Sequence, residues 1–164
     1  MTEKRTTAVA LGAAAMVLGG LMVPASQAAV AAAPAAQTYS FYSERLGQML
    51  DSSSFGTNAI TWAPNGSGYQ QWTETPGSTG IQLMDVRKGK CLQAPASTGQ
   101  PVAVATCNRF TPTQQWKLVV EGDDTLIARA SNSGEVIGAV GADSQVRLET
   151  KTNSRSQRWL VSPA

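Results

Sequence analysis

The sequence predicts an all-β fold that is built from three copies of one unit. The first observation is a Gln-x-Trp motif that occurs three times, with its Trp residues 44 and 43 positions apart. A constant period of this length is the signature of a repeat architecture. The second observation is that each unit holds four short stretches of alternating apolar residues, separated by turn-forming residues, as is typical of β-strands. Three units of four stretches predict twelve strands. The motif copies are Gln70-Gln71-Trp72, Gln114-Gln115-Trp116 and Gln157-Arg158-Trp159.

The strand-like stretches occupy matching positions in the three units. The opening pairs are Tyr39 and Phe41, Ile81 and Leu83, and Leu126 and Ala128. A Gly-x-apolar-aliphatic segment follows each pair, at residues 47–50, 89–92 and 134–137. The next alternating pairs are Ile60 and Trp62, Val102 and Val104, and Val146 and Leu148. This alignment matches Trp62 with Val104 and Leu148, so we expect its ring to lie in the core.

A unit of about 40 residues with four short strands cannot bury its apolar face alone. Three units can close around a shared core and cover one another's strand edges. Each Trp of the motif would bury roughly 150–250 Å², a gross stabilisation of about 4–6 kcal/mol before conformational entropy is subtracted. We therefore expect these Trp side chains in the core, with the first Gln of each motif as a structural hydrogen-bonding partner. The residues concerned are Gln70, Trp72, Gln114, Trp116, Gln157 and Trp159.

The three Gln-x-Trp motifs, each preceded by a Gly-x-[Met/Cys/Val]-[Leu/Ile] segment, resemble those of the ricin B-chain lectin family. The resemblance covers residues 38–164. It implies a β-trefoil with threefold pseudosymmetry, whose repeats span about 38–78, 79–123 and 124–164. It also implies a non-catalytic carbohydrate-binding module.

Residues 1–28 have the features of a secretory signal peptide. Lys4 and Arg5 precede an apolar stretch at residues 6–23, and Ser26-Gln27-Ala28 offers small residues for cleavage. A membrane anchor is the alternative, but a stretch of 18 residues is at the short end for a span. Residues 29–37 are rich in Ala and Pro and are expected to be a disordered stub or part of the leader. We expect a secreted protein with no membrane segment in its mature form, and the high Ala content suggests a bacterial source.

Composition argues against several classes of function. Without Glu3, Lys4 and Arg5 the chain has 11 basic and 10 acidic residues, which gives no argument for nucleic-acid binding. The only basic cluster is formed by Arg87, Lys88 and Lys90, and it is expected to be a solvated turn. The chain has no His, the commonest general acid–base and a frequent metal ligand, and its carboxylates lie in turn-like contexts. We therefore expect no enzymatic activity, no metal and no cofactor.

The two cysteines of the chain, Cys91 and Cys107, both lie in the second repeat. The pair resembles the within-repeat disulfide of the lectin family. Export of the chain is consistent with such a bridge. Closing a loop of about 16 residues stabilises a fold by roughly 3 kcal/mol in the chain-entropy model.

The resemblance implies one shallow sugar site per repeat, with an acid directly after the Leu or Ile of the Gly segment. That position holds Asp51, Gln93 and Gly138, so only the first repeat keeps the acid. The stacking aromatic of the family lies three residues after the first member of the second alternating pair. When Ile60 is aligned with Val102 and Val146, this position holds Ala63, Ala105 and Glu149. An Asn of the family is replaced by Tyr69, Thr113 and Ser156. By strict correspondence no repeat has a complete site.

The first repeat nevertheless contains the chemistry that sugar binding needs. An acid accepts hydrogen bonds from hydroxyls, an aromatic ring covers the apolar face of the sugar, and amides fix its orientation. Tyr69 follows a Gly- and Ser-containing loop and is the better candidate for the ring. The candidate carbohydrate-binding residues are Asp51, Asn65, Tyr69, Gln70 and Trp62.

Two functions follow from these observations. The first is a secreted lectin-like module with at most one functional site, whose ligand is a galactose-type sugar or a polysaccharide. The second is a trefoil that has lost sugar binding and recognises a secreted protein, as an inhibitor or accessory subunit. The first is favoured if Asp51 and an exposed ring of Tyr69 or Trp62 line one pocket, and the second if both rings are buried.

Overall fold

The computed structural model describes residues 36–164, which contain twelve β-strands and three short 3₁₀-helices. The expected leader and most of the Ala/Pro-rich stub lie outside the described residues. No helix within residues 36–164 is long and apolar enough to cross a membrane. The strands are β1 (Thr38–Ser43), β2 (Gln48–Asp51), β3 (Ile60–Trp62), β4 (Trp72–Pro76), β5 (Ile81–Asp85), β6 (Lys90–Gln93), β7 (Ala103–Thr106), β8 (Trp116–Glu121), β9 (Asp124–Arg129), β10 (Asn132–Gly138), β11 (Arg147–Thr150) and β12 (Leu160–Pro163). The 3₁₀-helices are Gly68–Gln70, Pro112–Gln114 and Arg155–Gln157.

Six strands close a barrel, and three hairpins cap one end of it. The barrel runs β1, β4, β5, β8, β9 and β12, with β12 paired back to β1. An isolated bridge from Thr125 to Trp159 completes the contact of β9 with the start of β12. The hairpins are β2–β3, β6–β7 and β10–β11. Closure leaves the barrel without free strand edges. The prediction of an all-β, twelve-stranded β-trefoil is confirmed.

The pseudo-threefold axis is marked by a ring of backbone hydrogen bonds where the three hairpins meet. The amide of Ala59 donates to Val102 O over 2.9 Å, that of Val102 to Val146 O over 3.0 Å, and that of Val146 to Ala59 O over 3.1 Å. These three residues are therefore structurally equivalent. The sequence alignment had matched Ile60 with the two valines, and it was wrong by one residue.

This shift by one residue reverses the faces of β3. Successive side chains on a strand point to opposite sides, so a shift by one exchanges the inward and outward sets. Ala59 and Thr61 are fully buried, whereas Trp62 is 44% exposed. The expectation that the Trp62 ring lies in the core is wrong.

The core contains the three repeated Trp side chains. Trp72, Trp116 and Trp159 have no exposed surface, and each indole Nε1 donates to a backbone carbonyl of the preceding hairpin. The first Gln of each motif is buried as well. Its side-chain amide accepts from one backbone N–H and donates to one carbonyl of the segment before the 3₁₀-helix, as Gln70 does with Asn65 N and Ala63 O. Gln114 and Gln157 repeat both contacts. The motif thus ties each hairpin to the barrel.

The second repeat carries the disulfide. Cys91 on β6 and Cys107 just after β7 are bonded, with their Cα atoms 5.0 Å apart. The bridge joins the two sides of the β6–β7 hairpin, as the resemblance implied, and this prediction is confirmed.

Candidate functional site

A small pocket opens beside the β2–β3 hairpin of the first repeat. It has a volume of about 80 Å³. Four of the five side chains expected to bind sugar line it, and they are Asp51, Trp62, Asn65 and Tyr69. The remaining lining residues are Ser53, Ser54, Phe55 and Ile60. The pocket therefore brings an acid, an amide and several aromatic rings together.

Gln70, the fifth expected residue, does not reach the pocket. Its side chain is only 1% exposed. Its amide oxygen and nitrogen are both occupied, by Asn65 N at 3.0 Å and Ala63 O at 2.9 Å. Gln70 belongs to the core, where it fixes the segment that carries Asn65.

The corrected register of β3 places Trp62 at the position of the stacking aromatic. Trp62 lies opposite Met49 in the β2–β3 hairpin, and Ala105 and Glu149 hold the same place in the other two hairpins. The equivalent residues are therefore Trp62, Ala105 and Glu149, and the assignment of this position to Ala63 was wrong. The first repeat keeps both the acid and the aromatic ring.

In the third repeat, a side chain fills the position that is equivalent to the pocket of the first repeat. A Cβ atom added to Gly138, the equivalent of Asp51, would overlap the carboxylate of Glu149. That carboxylate accepts a hydrogen bond from Gln157 Nε2 over 3.0 Å. Glu149 thus fills the space that an acid at residue 138 would need, and it takes the place of the ring.

The second repeat lacks both groups. Gln93 stands where the first repeat has Asp51, and its Oε1 accepts from Gln114 Nε2 over 3.0 Å. Ala105 offers no ring. Within residues 36–164, an acid and an exposed ring coincide at this position only in the first repeat.

The carboxylate of Asp51 is used on one side only. The residue is 4% exposed, and its Oδ1 accepts from Ser53 N over 2.7 Å. Among the described residues, nothing donates to its Oδ2. This contact holds Ser53 in the left-handed region at φ 59°, which turns the chain sharply after β2. One carboxylate oxygen thus shapes the loop and the other remains available to a ligand.

The loop after β2 is fastened by the second repeat. Lys88 Nζ donates to Ser52 O over 2.9 Å and to Gly56 O over 3.1 Å. The same ammonium lies 5.8 Å from the centre of the Tyr69 ring, within the range of a cation–π contact. Ser52 Oγ donates to Asp85 Oδ2 over 2.8 Å. Lys88 therefore contacts both the loop and one of the rings of the pocket, and it is not the freely solvated charge that the sequence suggested.

One sequence signal could have pointed to this contact. Aligning Gly47 with Gly89 places Asp85 and Lys88 where the first repeat has Ser43 and Leu46. A charged pair in one repeat only is a departure from the repeat pattern. Its hydrogen-bonding partners in the loop after β2, Ser52 and Gly56, lie more than 30 positions away and follow only from the folded geometry.

The family model of the ricin-type beta-trefoil lectin domain matches residues 38–159. The chain belongs to this family. No curated protein matches the chain.

Several solved structures share the fold of this lectin domain. The designed threefold-symmetric protein ThreeFoil is 21% identical, with a TM-score of 0.68 over 77% of this chain and 99% of that chain. The ricin B-like lectin of Macrolepiota procera, solved in complex with lactose, is 16% identical, with a TM-score of 0.69 over 79% and 96% of the two chains. An exo-β-1,3-galactanase from Clostridium thermocellum is 20% identical, with a TM-score of 0.70, but this chain covers only 31% of it. At these identities the similarity concerns the fold.

A second carboxylate lies behind the pocket of the lectin domain. Asp85 is fully buried, and burial raises the pKa of its carboxyl above the ordinary value of 3.8. Hydrogen bonds from Lys88 N and Ser52 Oγ, together with the charge of Lys88, act in the opposite direction. Because Asp85 is enclosed by its own partners, it braces the loop rather than facing a ligand.

The raised pKa of Asp85 gives the lectin domain a testable pH dependence. Since the folded state holds this proton more tightly than the unfolded state, the contribution of Asp85 to stability is complete below pH 3.8 and is lost as the pH rises through the folded pKa. As the pH rises from 3.8 through the folded pKa of Asp85, we expect the free energy of unfolding of the parent to fall relative to that of Asp85→Asn. Urea titrations of both proteins at a series of pH values measure the difference. If the difference in unfolding free energy between the two proteins did not vary with pH, the raised pKa of Asp85 would be contradicted.

Proposed function

We propose that the protein is a secreted, non-catalytic carbohydrate-binding module with one sugar site, in the first repeat. The observation that carries this proposal is that Asp51 and the exposed ring of Trp62 line the same pocket. This is the arrangement that favours sugar binding over recognition of a protein partner. Membership of the lectin family supports the same conclusion.

Four of the lining side chains have a role in this proposal. The indole of Trp62 covers the apolar face of a sugar ring, and Asp51 Oδ2 accepts hydrogen bonds from its hydroxyls. Asn65 uses its Oδ1 for the amide of Ser67, at 2.9 Å, so its side-chain NH₂ is left to donate to the ligand. The hydroxyl of Tyr69 adds a group that can donate or accept. Few polar groups around an apolar surface are the usual composition of a ligand site.

The pocket also supports a non-catalytic role. Hydrolysis of a glycoside usually needs two carboxyl groups on either side of the scissile bond. Asp51 is the only carboxylate among the pocket-lining residues, and the nearby Asp85 is buried. A site with one available carboxylate can hold a sugar but lacks the second group for acid–base work.

The ligand is proposed to be a galactose-type sugar or a polysaccharide. Lactose is the first probe to use, because the structurally similar lectin of Macrolepiota procera was solved in complex with it. A single shallow site binds weakly, so high affinity for a surface would require several copies of the domain.

A glycan array that includes lactose tests the proposal, with the parent domain and the Trp62→Ala variant compared side by side. We expect the parent to bind and the variant to bind about tenfold more weakly or worse, because ring stacking contributes about 0.5–1.5 kcal/mol beyond the burial of area. The variant should remain folded, since Trp62 is 44% exposed. Circular dichroism checks this point.

The matched control is Phe110→Ala, which removes another exposed ring from the second repeat. Phe110 is 70% exposed and lies outside the pocket, so we expect its removal to leave binding unchanged. Absence of binding by the parent at high protein concentration would refute the proposed function. Equal binding by the parent and Trp62→Ala would refute the role of the ring.

A further inference from the structure

Phe55 is the most exposed large apolar side chain among residues 36–164, with 99% of its surface accessible. It lies in the loop between β2 and β3 and contributes to the rim of the pocket. It adds nothing to the core. A single exposed apolar residue is ordinary on a protein surface, so exposure alone gives no function.

The backbone around Phe55, however, is held in place. Its amide donates to Ser53 Oγ over 3.2 Å, and Ser53 is itself fixed by Asp51. Lys88 Nζ bonds Ser52 O on one side of Phe55 and Gly56 O on the other. The loop is therefore braced from within and from the second repeat. A ring with only two side-chain torsions on such a loop is presented at little entropic cost, which is how preorganised binding surfaces gain affinity.

The size of the pocket determines how a sugar can lie in it. A pocket that encloses a whole drug-sized ligand usually has at least roughly 300 Å³, whereas this one has about 80 Å³. A sugar bound to Asp51 and Trp62 therefore lies across the mouth of the pocket. The next residue of a glycan chain then extends over the rim, where Phe55 is the exposed apolar surface.

We propose that Phe55 forms a second sugar-stacking position and that the site is built for a glycan chain of two or more residues rather than for a monosaccharide. This inference rests on the proposed function. In it, Asp51 and Trp62 hold the first sugar, and the Phe55 ring covers the apolar face of the second. Lys88 acts as a positioning residue, because it holds the loop on which the ring stands.

An array that carries galactose, glucose and xylose, each as the single residue and as β-linked chains of two, three and four, tests the inference. We expect the parent to bind a disaccharide roughly tenfold more tightly than the matching monosaccharide. The Phe55→Ala variant should bind the monosaccharide as the parent does and lose this gain. The Phe110→Ala variant should behave as the parent on every glycan.

A second pair of variants tests whether Lys88 positions the loop that carries Phe55. Lys88→Met removes the donors to Ser52 O and Gly56 O, and we expect it to reduce the gain with chain length more than the binding of the monosaccharide. Lys88→Arg keeps a cationic donor and should restore part of the gain. Circular dichroism establishes that each variant is folded.

The outcomes separate the two proposals. If the parent gains nothing with chain length, or if Phe55→Ala weakens monosaccharide and chain equally, the second position is refuted and the proposed function stands. If the parent binds no glycan of any length, the proposed function fails and the second position fails with it.

Discussion

The Trp116→Ala variant is expected to lose about 3–5 kcal/mol of its free energy of unfolding. Trp116 is fully buried at the start of β8, which pairs with β5 and β9, and its removal leaves a cavity in the core. The change also takes away the indole N–H that donates to Leu92 O over 3.0 Å, so a buried carbonyl loses its partner. Domains of this size are stable by about 5–15 kcal/mol, and the variant loses a large part of that. Urea unfolding of parent and variant measures the loss through the midpoint and the slope.

Trp62→Ala is the matched control for this experiment, because it makes the same chemical change at an exposed position. Trp62 is 44% exposed, and we expect its removal to cost about 1 kcal/mol or less. The contrast between the two variants isolates burial from residue type. An unchanged unfolding midpoint for Trp116→Ala would show that the repeated Trp does not support the core.

The fold was predictable because Trp is a scarce residue whose large side chain has to be buried at specific positions. Three of the four Trp residues recur at a constant period, and each occupies the same buried position in its repeat. The number of strands followed from counting alternating stretches in each repeat. Burial of large side chains constrains the sequence strongly, so the period of the Trp residues and the strand count can be recognised from the sequence alone.

The register of β3 was not predictable in the same way. The pattern of hydrophobicity selects Ile60 and Trp62 as the inward pair, whereas Ala59 and Thr61 face the core. Ala59 suits the crowded axis where the three hairpins exchange backbone hydrogen bonds. Thr61 satisfies its hydroxyl by donating to Gly141 O over 2.7 Å. Trp62, the largest residue of the strand, is thus on the outside, and its position there is explained by the proposed site rather than by folding.

The site itself was predictable in part. The acid at Asp51 and the loop with Asn65 and Tyr69 could be named from the sequence, since they follow recognisable turn and strand positions. The brace by Lys88 could not be named, because it depends on how the second repeat packs against the first. Contacts between repeats arise from tertiary geometry, and the period of a sequence does not encode them. Departures from local rules tend to occur at functional sites, and the exposed Trp62 at the proposed sugar site is consistent with this tendency.

The Asp51→Asn variant is expected to bind glycans roughly ten- to hundredfold more weakly than the parent. A hydrogen bond to a charged group contributes about 1.5–3 kcal/mol, and the variant replaces the carboxylate that would accept the sugar hydroxyls. Its fold should be intact, since the Oδ1 of Asn can still accept from Ser53 N, the contact that Asp51 makes at 2.7 Å. Calorimetric titration of parent and variant with lactose and with the best array ligand measures the change in affinity.

Two controls decide what a loss of binding by Asp51→Asn means. Asp123→Asn removes the same charge at an exposed turn, so unchanged binding there shows that net charge is not the cause. Gln93→Ala alters the equivalent position of the second repeat, where the side chain is engaged by Gln114 and no ring is present. We expect it to bind as the parent does. If Gln93→Ala lost binding and Asp51→Asn kept it, the sugar site would belong to the second repeat, and the pairing of Asp51 with Trp62 would have no part in recognition.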